Sequence, residues 1–101
     1  MRMSVRVAAL LGGMLLAGHG VWAQDKVEAG AEVYATNCAS CHGERMMSTG
    51  AAFDLRKLGA DERARFDESV TEGKGQMPAW GGILSDEEFD QLWAYIRSRA
   101  N

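Results

Sequence analysis

Apolar residues recur at helical spacing in three segments of this chain. In the first, from about Asp25 to Asn37, positions three, four and seven apart share one helix face. This face is formed by Val27, Gly30, Ala31 and Tyr34. A glycine inside a helix costs about 1 kcal/mol relative to alanine. Gly30 therefore indicates that another element approaches this helix closely.

Two more helices are predicted in the second half of the chain. One runs from Asp61 to Glu72, because an aspartate at its start caps free N–H groups and Gly73 supplies a left-handed stop. Its apolar face is thin and comprises Ala64, Phe66 and Val70. The last helix begins with a capping box formed by Ser85 and Glu88. Its apolar positions are Phe89, Leu92, Trp93 and Ile96. Alternating apolar runs long enough for a sheet are absent, so the predicted fold class is all-α.

The first 23 residues are predicted to be a secretory signal peptide whose removal leaves residues 24–101 as the mature domain. Arg2 and Arg6 precede an apolar run of 11 residues, and Val21 and Ala23 supply the small side chains that signal peptidase needs. A membrane-spanning helix needs about 20 apolar residues. We therefore expect cleavage and export to the periplasm, without stable membrane insertion, in preference to an uncleaved N-terminal anchor.

Length and charge exclude several classes of function. The chain has 101 residues and a net charge of −3, and loss of the signal peptide removes two arginines and no acid, which gives −5. A large two-domain enzyme is excluded by length, and a nucleic-acid partner is not expected without a basic surface. A mature domain this small often needs a disulfide, a metal or a cofactor to be stable.

Cys38-Ala39-Ser40-Cys41-His42 is a C-x-x-C-H sequence, the attachment signal for c-type haem. Cys38 and Cys41 are spaced to bond the two vinyl groups of one porphyrin, and His42 follows as an axial iron ligand. Three alternative interpretations of this motif have less support. A thioredoxin-like redox pair needs a βαβ pattern, a disulfide across so short a loop stabilises little, and a zinc site would lack a fourth ligand.

The second axial ligand is predicted by elimination. His42 is the only histidine left after signal removal, so the common haem ligands that remain are methionines, unless the sixth position is open. Met46 and Met47 follow His42 too closely to reach the opposite face of the porphyrin. Met77 lies in a glycine-flanked loop 35 residues beyond His42, and Pro78 biases its backbone toward an extended conformation. The alternative role for Met77 is that of a flexible core residue.

Across its mature length the chain resembles the class I monohaem cytochromes c: a first helix enters the haem signal, a Met-Pro loop follows, and the last helix is aromatic. The resemblance implies three main helices wrapped around one covalently attached haem c. It also implies that the first and last helices cross at Gly30, Tyr34, Leu92 and Tyr95. This crossing would explain the glycine inside the first helix.

The segments Ala52–Leu58, Arg65–Val70 and Gly73–Trp80 are more narrowly similar to small cytochromes that accept electrons from periplasmic pyrroloquinoline-quinone (PQQ) alcohol dehydrogenases. One feature departs from the family. Its members commonly carry a proline after the haem signal, whose carbonyl orients the histidine, and residues 43–58 contain none. Arg56 and Lys57 either pair with the haem propionates or are merely solvated.

These residues predict a one-electron carrier and not an enzyme, because the sole imidazole and both thiols are committed to haem. The expected donor is a PQQ-dependent dehydrogenase, and the expected acceptor is an oxidase or another cytochrome. We expect a monomer. Two alternatives stay open: a haem subunit tightly bound in a dehydrogenase or oxidase complex, and a gas-binding haem protein with an open iron.

Overall fold

The computed structural model describes residues 23–100. The chain is helical from residue 23, the first described, to residue 37, and this segment is α1. Three further α-helices follow: α2 is Ala39–His42, α3 is Arg63–Glu72 and α4 is Asp86–Ser98. Short 3-10 turns span Glu44–Met46 and Leu55–Lys57. Residues 23–100 contain no strand, only two isolated bridges, so the predicted all-α class is confirmed. Of the predicted signal peptide, residues 1–22 lie outside the described residues.

Helices α1 and α4 cross where Gly30 lies. A Cβ atom placed on Gly30 would collide with the backbone carbonyl oxygen of Gln91 and lie 2.9 Å from Cβ of Tyr95. Four residues on from Gly30, the ring of Tyr34 packs on that of Tyr95, with centroids 5.3 Å apart. The close approach indicated by Gly30 is therefore present in the structure, and α4 is the approaching element.

Helices α3 and α4 meet through aromatic side chains. The ring of Phe66 lies 5.2 Å from that of Trp93 and 6.3 Å from that of Phe89, measured between centroids. The buried core draws on α1, the loop between α2 and α3, α3 and α4, and comprises Tyr34, Met46, Leu58, Phe66, Val70, Leu92, Tyr95 and Ile96. The predicted apolar face of the middle helix is correct for Phe66 and Val70 but wrong for Ala64, which is exposed.

The helix ends match the sequence signals at one site and depart from them at another. Ser85 and Glu88 form both hydrogen bonds of the capping box at the start of α4. Helix α3 begins at Arg63, two residues later than predicted from Asp61, and no side chain caps its first turn. The reason is that the preceding residue, Glu62, turns its carboxylate back to accept the backbone N–H of Gly59 at 2.8 Å.

Among residues 23–100, no helix combines the length and the apolar character needed to cross a membrane.

Candidate functional site

An apolar cleft lies between α3, α4 and two long loops, residues 43–62 and 73–85. The space between its atoms is about 920 Å³, part of it open to solvent. Cys38, His42 and Met77 lie on its lining, although they come from distant parts of the sequence. The apolar part of the lining comprises Phe53, Leu55, Leu58, Phe66, Val70, Leu92 and Ile96. Cys41 is exposed and is not among the lining residues.

The first part of the site is the short helix α2, which follows α1 after one residue. Cys38 marks its start, and its N–H donates to the carbonyl oxygen of Tyr34 at 2.8 Å. The backbone N–H of His42 donates to the carbonyl oxygen of Cys38 at 2.9 Å. One turn of helix thus connects the first cysteine to the histidine and fixes their relative positions.

The His42 ring is oriented by a backbone carbonyl of the following loop. Its Nδ1 lies 3.1 Å from the carbonyl oxygen of Phe53. Since a carbonyl only accepts, the ring proton is on Nδ1, which leaves the lone pair of Nε2 free to bind a metal. In this chain Phe53 therefore supplies the carbonyl that family members commonly take from a proline.

A hydrogen bond from α1 holds the peptide that follows His42. The buried hydroxyl of Tyr34 donates to the carbonyl oxygen of Gly43 at 2.6 Å. The backbone N–H of Met46 donates to the same oxygen at 3.2 Å. Met46 itself is 1% exposed and belongs to the core, whereas Met47 is 58% exposed. Neither of these methionines lines the cleft.

Met77 is positioned on the lining of the cleft by a tight turn. Lys74 and Met77 exchange two backbone hydrogen bonds, of 3.1 and 3.0 Å, around Gly75, whose φ is 59°. The chain then returns to α3, where the N–H of Trp80 donates to the carbonyl oxygen of Val70 at 2.8 Å. Met77 is half-buried against the core and lines the cleft, as a residue that closes one face of a bound group must.

The thiols do not have the properties of a redox-active pair. Both cysteines are free, and burial, together with the neighbouring Cys41, raises the pKa of the Cys38 thiol to about 11. Reactive cysteines of thiol oxidoreductases have lowered pKa values because the thiolate is the nucleophile. The high pKa and the absence of any βαβ unit among residues 23–100 both disfavour the thioredoxin-like alternative.

Two positively charged side chains reach the cleft, and sequence reasoning singled out neither of them as a partner for the haem propionates. Arg65 and Lys74 are among its lining residues. Arg56 instead forks onto the carboxylate of Asp54, with both contacts at 3.1 Å, and Lys57 is exposed and away from the lining. Arg65 lies on an exposed helix face, and nothing in the sequence distinguishes an arginine that faces the cleft from one that faces solvent.

These features fit c-type haem. The cleft is apolar, as a porphyrin requires, and its lining joins a thiol of the attachment signal, an imidazole with a free Nε2 and a thioether. Cationic side chains at the lining suit the propionates. The attachment signal at residues 38–42, on an all-α fold and at the edge of this cleft, defines a protein of the c-type cytochrome class.

Comparison with known proteins agrees with the fold and the site. The family model described as cytochrome C oxidase, cbb3-type, subunit III matches residues 25–96. The cytochrome c6 of Microcystis aeruginosa is 37% identical over 76 residues, which cover 70% of this chain and 94% of that protein. The cytochrome c6 of Anabaena variabilis is 38% identical over 76 residues, 70% of this chain and 88% of that protein. The chain belongs to the cytochrome c family, carries covalently bound haem c and is a haem electron carrier.

A much longer protein shares the same segment. The quinohemoprotein alcohol dehydrogenase ADH IIB of Pseudomonas putida is 34% identical over 80 residues, which cover 76% of this chain but 12% of that enzyme. The similarity is confined to a cytochrome-like region of the enzyme.

Proposed function

We propose that this protein is a diffusible one-electron carrier in which Cys38 and Cys41 hold the haem by thioether bonds and His42 and Met77 bind the iron from its two faces. The observation that carries the proposal is that Cys38, His42 and Met77, separated by up to 39 positions in sequence, line one apolar cleft. Cys41 follows from the spacing of the attachment signal.

The proposed chemistry is electron transfer alone. When bound, the haem supplies an iron that cycles between Fe(II) and Fe(III). The chain fixes the surroundings of that iron: the Phe53 carbonyl holds the His42 ring through Nδ1, and the turn at Gly75 positions Met77 on the lining of the same cleft. Two protein ligands leave the iron no position for a substrate. The protein therefore carries electrons without catalysing a reaction of its own.

The proposed donor is a PQQ-dependent alcohol dehydrogenase of the periplasm, and the proposed acceptor is an oxidase or another cytochrome. The support is the similarity to a cytochrome-like region of a quinohemoprotein alcohol dehydrogenase, together with the segment around Met77. An export signal in residues 1–23 would deliver the protein to the periplasm, where covalent haem attachment and such a donor would meet.

Partners are proposed to dock where the cleft opens to solvent. Met47 and Phe53 are 58% and 45% exposed, on the loop that follows His42, and they provide apolar contact area. Electron-transfer complexes are small and short-lived, so a limited apolar patch is sufficient. The net charge of −5 after signal removal would guide the approach of a partner with a positively charged surface.

The ligand assignment is tested on periplasm-expressed protein by visible spectra, oxidised and reduced, with and without carbon monoxide. We expect the reduced wild type to bind no carbon monoxide. The Met77→Ala variant should bind it and should show a lower reduction potential, because the thioether is lost. Met47→Ala, at an exposed methionine that does not line the cleft, is the matched control and should behave as the wild type.

Three results would contradict this assignment. A colourless protein would exclude haem, and carbon monoxide binding by the wild type would favour the gas-binding alternative. An unchanged spectrum and potential in Met77→Ala would exclude Met77 as a ligand.

The partner is tested by stopped-flow reduction with purified quinoprotein alcohol dehydrogenases. A second-order rate that depends on ionic strength supports electrostatic guidance of a diffusible carrier, whereas an identical rate at low and high salt would contradict electrostatic guidance.

A second candidate function is that of a haem subunit that stays bound to its enzyme, favoured by the match to part of a larger enzyme. Copurification with a dehydrogenase or oxidase at high salt would support that candidate.

A further inference from the structure

The loop that supplies the Phe53 carbonyl is weakly restrained by its own sequence. Between Met47 and Asp54 it forms only bends and extended backbone, and Gly50 adopts a φ of 90°. The hydrogen bond from the Ser48 hydroxyl to the Ala52 carbonyl is long, at 3.4 Å. The segment after the haem signal also lacks proline. Asp54, the next residue, caps the following turn by accepting the Arg56 N–H at 3.1 Å, so local restraint is present after Phe53 but sparse before it, and side chains from outside the loop add to the hold on the Phe53 carbonyl.

The side chain of Phe53 is held from α3. The guanidinium carbon of Arg65 lies 4.9 Å from the centroid of the Phe53 ring, a cation–π contact. Both side chains line the cleft. Arg65 thus contacts the same residue whose backbone oxygen accepts the Nδ1 proton of His42.

Arg65 is itself fixed in place. Its Nη1 donates to Oε2 of Glu62 at 3.0 Å, and the other oxygen of that carboxylate accepts the N–H of Gly59 at 2.8 Å. The Glu62 pKa is lowered by these hydrogen bonds, chiefly the one from Gly59, so the carboxylate stays charged. Gly59 closes the same loop in which Phe53 lies. Contacts therefore run from the end of the loop through Glu62 and Arg65 to Phe53.

We propose that Arg65 is a positioning residue for the axial histidine, acting through the ring of Phe53. The inference rests on the proposed function, in which Nε2 of His42 binds the iron. Arg65 holds the ring of Phe53, the ring fixes the backbone of that residue, and the carbonyl holds the Nδ1 proton. A carbonyl that accepts this proton orients the imidazole and raises its basicity as a ligand. A more basic ligand favours Fe(III), so loss of the contact should raise the reduction potential.

The direct measurement is the exchange rate of the His42 Nδ1 proton with solvent, followed by NMR on the haem-loaded protein. A cation–π contact at a half-exposed site is worth about two- to fivefold in an opening equilibrium. We expect exchange to be faster by about that factor in Phe53→Leu, which keeps the backbone carbonyl and every charge. The same factor is expected in Arg65→Met. The double variant should be no faster than either single variant, because the two residues act as one unit.

The reduction potential provides a second measurement. In Phe53→Leu the reduction potential should move to a more positive value, since no charge changes, the cleft wall stays apolar and the hold on His42 is weakened. In Arg65→Met the loss of a positive charge near the haem opposes this shift, so the potential of that variant should lie below that of Phe53→Leu. Arg65→Lys keeps the charge and an ion pair with Glu62. In this variant the exchange of the His42 Nδ1 proton should therefore be slower than in Arg65→Met.

The matched control is Arg63→Met, the same change two residues away on α3. Arg63 pairs with Asp67 and Asp90 and lies 5.9 Å from the ring centroids of Phe66 and Trp93. Its loss should lower stability but leave exchange at His42 within twofold of the wild type. An effect there as large as in Arg65→Met would mean that exchange reports general stability, and would overturn the inference.

The outcomes separate this inference from the proposed function. A wild-type spectrum without the Nδ1 proton of an iron-bound histidine overturns both. A wild-type spectrum that shows this proton, with exchange unchanged in Phe53→Leu and Arg65→Met, overturns the positioning role and leaves the ligand assignment intact. Accelerations that add in the double variant would also overturn the coupling.

Discussion

The hydrogen bond from Tyr34 to Gly43 connects the first helix to the peptide after the axial histidine, and its removal gives a quantitative test of the fold. Tyr34 is 1% exposed, and its hydroxyl donates to the Gly43 carbonyl oxygen at 2.6 Å. The substitution Tyr34→Phe removes that donor and keeps the ring that packs on Tyr95. The Gly43 oxygen still accepts the N–H of Met46 at 3.2 Å, so it is not left without a partner. We therefore expect a loss of about 1 kcal/mol, the usual net value for a hydrogen bond.

The same hydroxyl should make stability fall at high pH. Burial, followed by the charges of Cys38 and Tyr95, raises the pKa of Tyr34 from 10.0 to about 12. Haem attachment converts the Cys38 thiol to a thioether and removes its contribution, but burial, the largest cause, remains. Because the folded pKa lies above the unfolded one, the stabilisation is complete below pH 10 and is lost as the pH rises through about 12. One pKa unit corresponds to about 1.4 kcal/mol, so the loss over this window is about 2–3 kcal/mol.

The assay is urea unfolding of the haem-loaded protein at pH 7 and at intervals from pH 9 to 12. At pH 7 we expect Tyr34→Phe to have a lower midpoint at unchanged slope. Its stability should then fall less than that of the wild type at alkaline pH. Tyr95→Phe is the control for the hydrogen bond at pH 7, because the Tyr95 hydroxyl makes no hydrogen bond to the described residues; it is not used at alkaline pH, where the Tyr95 charge contributes to the raised pKa of Tyr34. Equal alkaline losses in Tyr34→Phe and the wild type would refute the reasoning.

Three further predictions concern the helices and the attachment signal. Gly30→Ala should destabilise the protein by about 1–3 kcal/mol and lower its melting temperature, because the added methyl collides with the Gln91 carbonyl where α1 crosses α4. Ser85→Ala should cost about 1 kcal/mol by loss of the α4 cap, measured by urea unfolding, and a neutral result would mean that the capping box contributes nothing. A variant with alanine at both Cys38 and Cys41 should give no cooperative thermal transition by circular dichroism, since the apolar walls of the cleft lose the group they cover.

Local signals in the sequence predicted the helices, and the structure shows which helix start and which hydrogen-bond partner those signals did not predict. The capping box at Ser85 is satisfied within four residues, whereas Gly30 and the Met77 loop could be singled out because glycine inside a helix and a Met-Pro pair in a glycine-flanked loop are unusual in themselves, although the elements they meet lie far away in sequence. The start of α3 was misplaced because Glu62 bonds backward to Gly59, a choice between two local hydrogen bonds that sequence does not decide. The carbonyl behind His42 could not be predicted, because every residue has a carbonyl and only the path of the loop selects that of Phe53.

Charged residues show the same limit at the cleft. Arg56 and Arg65 are both arginines near the predicted haem site, and composition does not distinguish them. In the structure both pair with a nearby carboxylate, Arg56 with Asp54 and Arg65 with Glu62, but only Arg65 also reaches the cleft and the Phe53 ring. The difference follows from tertiary position, since α3 presents Arg65 to the loop. Side chains that act through packing are therefore identified only after the fold is known.

The strained turn after the haem signal explains why the first and last helices matter for the site. Arg45 and Met46 have φ values of 54° and 63°, a region that costs a non-glycine residue about 1–3 kcal/mol. The turn is held by the Tyr34 hydroxyl on Gly43, by burial of Met46, and by Arg99, whose Nε donates to the Arg45 carbonyl at 2.9 Å. These restraints come from α1 and from the end of α4, on the two helices that cross at Gly30. Loosening that crossing should therefore disturb the backbone next to His42 before it disturbs the Met77 loop, which is held by α3.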